Sequence, residues 1–184
     1  MVMVLISLGI IGLLVLVYNR LVALRQTRKN AYSDIDVQLR MRYDLIPNLV
    51  KVVQQYAAHE KEVLENVTAA RATAMGAGPT QAKIPAEAQL DGALMKLLAV
   101  SENYPQLKAD ATFIKLQDEL GSVENSIAAA RRFFNNATAE YNTACQQIPA
   151  NAIAKIFSFK EEGFWEVTEE QKILLETPPT VSFN

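Results

Sequence analysis

The residues that do most covalent and metal chemistry are nearly absent from this sequence. In 184 residues there is one cysteine, Cys145, and one histidine, His59. No intramolecular disulfide can form, and no structural zinc site can be assembled from Cys and His. The single histidine also defeats a di-iron helical bundle, which needs two Glu-x-x-His pairs on facing helices. His59 has Glu62 after it and no Glu three residues before it. Gly-rich phosphate loops and nucleotide motifs are missing. Paired carboxylates occur at Asp34/Asp36 and Asp118/Glu119, but no cleft signal flanks them. The net charge of −2 argues against a general nucleic-acid binder. No enzyme, cofactor, metal or small-molecule substrate is expected from these residues.

What the sequence does have is an apolar run from Met1 to Tyr18, MVMVLISLGIIGLLVLVY, without a charge. As a helix it covers roughly 27 Å, close to the ~30 Å hydrocarbon core of a bilayer. A cleaved signal peptide wants a basic start, a shorter core and a small-x-small site, and none is present. The run is read as an uncleaved anchor, with Met1, Leu5, Ile10, Leu14 and Tyr18 marking its length. Arg20, Arg25, Arg28 and Lys29 follow it before any acid. By the positive-inside rule they keep the soluble part in the cytoplasm. Basic side chains so placed either fix topology only or face anionic lipid.

From Asn19 on, the pattern is helical with almost no strand signal. Apolar positions continue at spacings of three and four with no Gly or Pro, so the membrane helix is expected to run on into the domain. A break is expected at Tyr43–Asp44, with Asp44 as cap and Pro47 in the first turn of a new helix. That helix carries Ile46, Leu49, Val53, Tyr56, Val63, Val67, Ala70 and Ala74 on one stripe and stops at Gly76-Ala77-Gly78-Pro79. A shorter helix with Leu90, Ala93, Leu94, Leu97 and Val100 facing inward follows the loop to Pro85, until Asn103-Tyr104-Pro105 interrupts it. The last long helix is capped by Asp110 and ended by Pro149. Its seam is Phe113, Leu116, Leu120, Val123, Ile127, Ala130, Phe134, Ala137, Tyr141, Ala144 and Ile148, with Gly121-Ser122 its weak point.

These elements predict an all-α protein: an N-terminal transmembrane helix continuing into a long antiparallel bundle of about four long helices. The boundaries are 1–18 for the anchor, 19–157 for the bundle and 158–184 for an irregular acidic and aromatic tail. Phe157, Phe159, Phe164 and Trp165 concentrate there. Such aromatics either sit at headgroup level or cover an open end of the core. Polar residues beside the stripes, namely Asp34, Asp36, Arg42, Asn48, Arg131, Arg132 and Asn135, either fix helix register or line a subunit interface.

Several ordered blocks carry a family resemblance. They are Tyr18-Asn19-Arg20-Leu21-Val22, Asp34-Ile35-Asp36-Val37-Gln38-Leu39 and Arg42-Tyr43-Asp44-Leu45-Ile46-Pro47-Asn48-Leu49-Val50. Further blocks are Leu94 to Val100, Tyr104-Pro105, Ala130-Arg131-Arg132-Phe133-Phe134-Asn135 and Tyr141-Asn142. Together they resemble the LemA family from Tyr18 to Phe164. Phe134 departs from a common Tyr, and Ile148-Pro149-Ala150-Asn151 from the usual Phe-Pro-Ser/Thr-Asn. The resemblance implies an anchored bacterial envelope protein with a helical bundle, no agreed activity and no catalytic residues to carry over. Some relatives take part in building magnetosome membranes, and others resemble lipoproteins facing the periplasm.

The expected function is that of a non-enzymatic, single-pass module of the bacterial inner membrane acting by protein–protein contact. Its expected partners are membrane lipid through the span, and copies of itself or other membrane proteins. The alternative is membrane remodelling or anionic-lipid binding through the basic juxtamembrane segment and the aromatic tail.

Overall fold

A computed structural model describes residues 1–78 and 82–166. Among them every regular element is a helix. The long ones are α1 (Val2–Tyr56), α2 (Lys61–Gly76), α3 (Lys83–Val100) and α5 (Ala111–Gln146). A 3-10 turn (Ser101–Asn103), α4 (Pro105–Lys108) and α6 (Ala150–Ile156) are short. The chain divides into two compact units. Among described residues, unit 1 comprises 1–42 and 121–164, and unit 2 comprises 43–78, 82–120 and 165–166.

In unit 1 the first part of α1 and the second part of α5 run antiparallel, as the partner numbers show. Leu21 packs with Tyr141, Ala144 and Cys145, Arg28 reaches Thr138, and Arg42 reaches Glu124. Ala31, Ile35 and Leu39 are fully buried along the same stripe of α1. On α5, Val123, Ile127, Phe134, Ala137, Tyr141 and Ala144 are buried, as the seam predicts. Ile148 is not part of it. The helix ends at Gln146, and Ile148 is left 87% exposed. Each fully buried aliphatic or aromatic side chain adds about 1.5–3 kcal/mol before chain entropy is subtracted.

The α6 helix lays Ile153 and Ala154 onto the Leu21 cluster. It ends in a left-handed turn at Ser158, φ 57°. There the Ser158 N–H donates to Lys155 O (3.4 Å) and the Phe159 N–H to Ala154 O (2.9 Å). These are the two bonds of a Schellman cap, and its usual apolar contact is made by Phe159 against the same cluster. Asn142 then holds the segment that follows through both its amide groups. Its Nδ2 donates to Glu162 O (2.9 Å), and its Oδ1 accepts from the Glu162 N–H (3.0 Å).

Unit 2 contains the end of α1, α2, α3, the short helices and the start of α5. Ile46, Leu49 and Val53 of α1 are buried here, with Leu64, Val67, Ala70 and Ala74 of α2 and Leu90, Leu94, Leu97 and Val100 of α3. Helix α2 packs against α3.

Two helix boundaries differ from expectation. No break occurs at Tyr43–Asp44, since α1 passes through Pro47 and ends only at Tyr56. The interruption comes instead at 57–60, where the Glu60 N–H donates to Ala57 O (3.1 Å). The inward positions keep a helical rhythm across that turn, from Val53 and Ala57 to Leu64 and Val67. Spacing alone therefore reads the two helices as one. Consistent with the slip, Tyr56 is exposed and Leu64, rather than Val63, is buried.

Candidate functional site

A groove in unit 1 lies where the apolar run ends. Tyr18, Val22, Arg25, Gln26 and Lys29 recur on one face of α1 at helical spacing, and with Arg28, Phe157, Phe159 and Glu162 they line it, a volume of about 640 Å³. Tyr18 fixes its floor, with ring centroids 4.8 Å from Phe157 and 5.7 Å from Phe159. Arg25 and Lys29 are exposed along it. Arg20 is also exposed and does not line the groove. Its position two residues after Tyr18 turns it about 200° around the helix.

Arg28 has a different placement from the other basic residues. Its guanidinium is turned inward: Nε donates to Thr138 Oγ1 (3.1 Å) and Nη2 to Gly163 O (2.9 Å). Nη1 lies 3.4 Å from Glu162 Oε2, and the group stacks 4.8 Å from the Phe134 ring centroid. Tyr32 meets the same ring edge-on at 5.9 Å. One basic side chain thus ties α1, α5 and the segment after α6 together.

The polar residues beside the stripes separate into several environments. Arg42 is fully buried and its Nη1 donates to Glu124 Oε1 at 2.8 Å. Asp36 accepts from Arg40 Nε one turn on, at 3.0 Å. Asp34, Asn48 and Arg132 are exposed, whereas Arg131 and Asn135 are half-buried.

In unit 2, Tyr43 and Pro47 explain each other. A proline has no N–H to give the carbonyl four residues before it, here Tyr43 O. Arg71 Nε of α2 donates to that oxygen at 2.7 Å. The Tyr43 hydroxyl meanwhile donates to Glu87 of α3 and lies 3.4 Å from Ala74 O. Sequence reasoning missed Arg71, Glu87 and Glu124 as partners. The carbonyl orphaned by Pro47 is the one signal that a donor has to come from elsewhere.

Asp110 caps α5 as expected, accepting from the Thr112 and Phe113 N–H groups at 2.8 and 2.9 Å. Tyr56 OH donates to its other oxygen at 2.9 Å. The Phe113 N–H first, and the Tyr56 hydroxyl next, hold the Asp110 carboxyl below its ordinary 3.8. A depressed carboxyl contributes stability that is present above the unfolded pKa and is lost as pH falls through the folded one. Asp110→Ala is therefore expected to lower Tm at pH 7. The gap from the unmodified protein should narrow as pH drops below about 4, where the unfolded carboxyl takes up its proton, and go on narrowing as pH falls through the folded pKa. Melting curves from pH 7 to pH 3 check this.

The nucleophile candidates are buried or solvated. Burial pushes the Cys145 thiol up, so it stays protonated at neutral pH, and burial pushes Tyr141 up to about 12. His59 is exposed in the 57–60 turn. Among the described residues no group of three or more His, Cys, Asp or Glu side chains could hold a metal ion.

Fold and site together define a membrane-associated all-helical protein. Its α1 contains an apolar window long enough to cross a bilayer, none of it buried in the fold. The chain belongs to the LemA family, whose pattern it matches over residues 31–183. It is similar to the magnetosome protein MamQ of Magnetospirillum gryphiswaldense, at 26% identity over 174 residues, covering 80% of this chain and 64% of the relative. It is equally similar to MamQ 1 and MamQ 2 of Paramagnetospirillum magneticum, at 26% over 182 residues, covering 85% of this chain and 67% of each. The chain thus spans about two thirds of the length of these curated relatives, 64% in the first. None of the three carries the name of an enzyme.

Proposed function

We propose that this chain is a non-enzymatic, membrane-anchored helical module that acts through protein–protein contacts, as a homo-oligomeric scaffold at a bacterial inner membrane. Residues 1–18 serve as the anchor, 19–157 as the working bundle and 158–184 as the tail, with the bundle on the cytoplasmic side by charge asymmetry. The observation that carries this reading is the continuity of α1, which runs from the apolar stretch into the packed part of unit 1 as one helix without a linker. A stiff connection fixes the distance and tilt of unit 1 over the bilayer, which a contact-making module needs and a flexible tether would not supply.

Asp34, Val37 and Met41 fall on one exposed stripe of α1 at spacings of three and four. Val37 and Met41 leave about half their surface in water, an arrangement suited to meeting a second helix. Mass measurement of full-length protein extracted in nanodiscs should give a defined oligomer. V37E/M41E should reduce it to a monomer with unchanged helicity. A monomeric unmodified protein at membrane concentrations refutes the proposal.

A further inference from the structure

We infer that the groove between the juxtamembrane turns of α1 and the segment after α6 is a binding site for the headgroup of an anionic phospholipid. The lipid is one from the bilayer that holds the apolar run. This goes beyond a contact role, because it assigns a ligand to residues that a scaffold does not require.

Position is the first support. The groove begins at Tyr18, where the apolar run ends, and Phe157 lies in ring contact with Tyr18 while 58% exposed. Aromatic side chains at this depth sit among headgroups, and the headgroup zone is about 5–8 Å thick on each side of the core. Along the helix, Arg25 is about 10 Å and Lys29 about 16 Å past Tyr18. Side chains on a helix lean toward its N-terminus, and here the bilayer lies in that direction. Arg25 can therefore reach down its apolar stem to the phosphates, and Lys29, whose ammonium stays a few ångström above the headgroup zone, acts on them through its field.

Charge is the second support. Of the three basic residues lining the groove, Arg28 is engaged by Glu162, Thr138 and Gly163, and the Glu162 carboxylate is answered by Arg28. Arg25 and Lys29 have no ion-pair partner among the described residues, so two positive charges remain on the groove wall. The volume, about 640 Å³, falls in the range of small-molecule sites and admits a phosphodiester headgroup with its glycerol. The apolar share of the lining, Tyr18, Val22 and Phe157, matches the start of the acyl chains.

The test uses full-length protein in phosphatidylcholine nanodiscs with a minor fraction of phosphatidylglycerol. Lipids retained after gentle extraction are counted by native mass spectrometry. Phosphatidylglycerol should be enriched over phosphatidylcholine, and R25Q or K29Q should each cut the enrichment about fivefold. R25Q/K29Q should abolish it. R20Q removes the same charge from another face, about 3 Å past Tyr18 and so nearer the bilayer than either, and should leave the enrichment intact. Arg25, Lys29 and Arg20 are exposed, so all variants should melt with the unmodified protein.

Unchanged enrichment in R25Q/K29Q overturns the inference, and so does an equal loss in R20Q, which would mean a diffuse field without a site. Displacement of the lipid by millimolar inorganic phosphate identifies a free-anion site and also overturns it. A change in oligomer mass in place of lipid retention points to a second copy in the groove and overturns it as well. Vesicle flotation of the unmodified protein separates the levels. Failure to float overturns the span and the lipid site together, whereas lost selectivity with intact flotation overturns the site alone.

Discussion

Arg42→Ala should destabilise the protein by about 2–5 kcal/mol, the range for truncating a large, fully buried side chain. The side chain is the largest in the fully buried set, and its guanidinium meets Glu124 at 2.8 Å. Truncation removes that pairing and leaves space that a packed helix interface fills only in part. Glu124→Gln should cost less, about 1–3 kcal/mol, because it takes a negative charge from the buried guanidinium while glutamine keeps an acceptor and the Glu124 side chain is itself 40% exposed. The asymmetry distinguishes a register-fixing arginine from an ordinary surface pair, for which both changes would fall below about 1 kcal/mol. Urea unfolding of the two variants measures it. Equal small effects would mean that Arg42 does not hold unit 1 together.

Removing the Arg71 side chain should cost about 1–3 kcal/mol, the penalty for leaving a buried carbonyl without its donor. The cause is local and checkable, because Tyr43 O lacks a helical donor only while residue 47 is proline. In a Pro47→Ala background the backbone N–H restored at that position can supply the missing bond, and Arg71→Ala should then cost markedly less. A double-mutant cycle should return a coupling of about 1–2 kcal/mol. Additive effects would mean that Arg71 contributes by packing and that the proline is incidental.

This pair also shows why one element is misread from the sequence. Asp44 and Pro47 look like a helix start, because local chemistry treats a proline within a turn of a capping residue as a first turn. What keeps α1 continuous is a donor on α2, 28 residues on, which no local window contains. The 57–60 turn is hidden for the opposite reason. Its length preserves the inward rhythm, and no Gly or Pro punctuates it. By contrast the seam of α5 and the Asp110 cap are legible, since each is written within a few residues of where it acts.

The groove is legible only in part. Arg25 and Lys29 follow the apolar run and invite a lipid-facing reading. Phe157 and Phe159 join them because α6 turns back at Ser158, a left-handed residue that carries no glycine signal. Arg28 reads as one more juxtamembrane charge until Thr138, 110 residues away, is found to accept its Nε–H. A charge run does not say which member faces inward. That depends on where a hydroxyl and an aromatic ring arrive from elsewhere in the chain.

The burial of Leu21 has a consequence for the choice of membrane. Leu21 is 1% exposed within the unit 1 cluster and lies only three residues past Tyr18, about 4.5 Å along the helix. With residues 1–18 as the proposed span, a thicker bilayer cannot draw more of α1 in from this side without pulling Leu21 out of that cluster, so the span has a fixed end here. On that proposal, mismatch at this end of the span is taken up by lipid thinning around it. A chain anchored as proposed is expected to partition toward thin regions of a membrane, where clustered copies would deepen the thinning that gathers them.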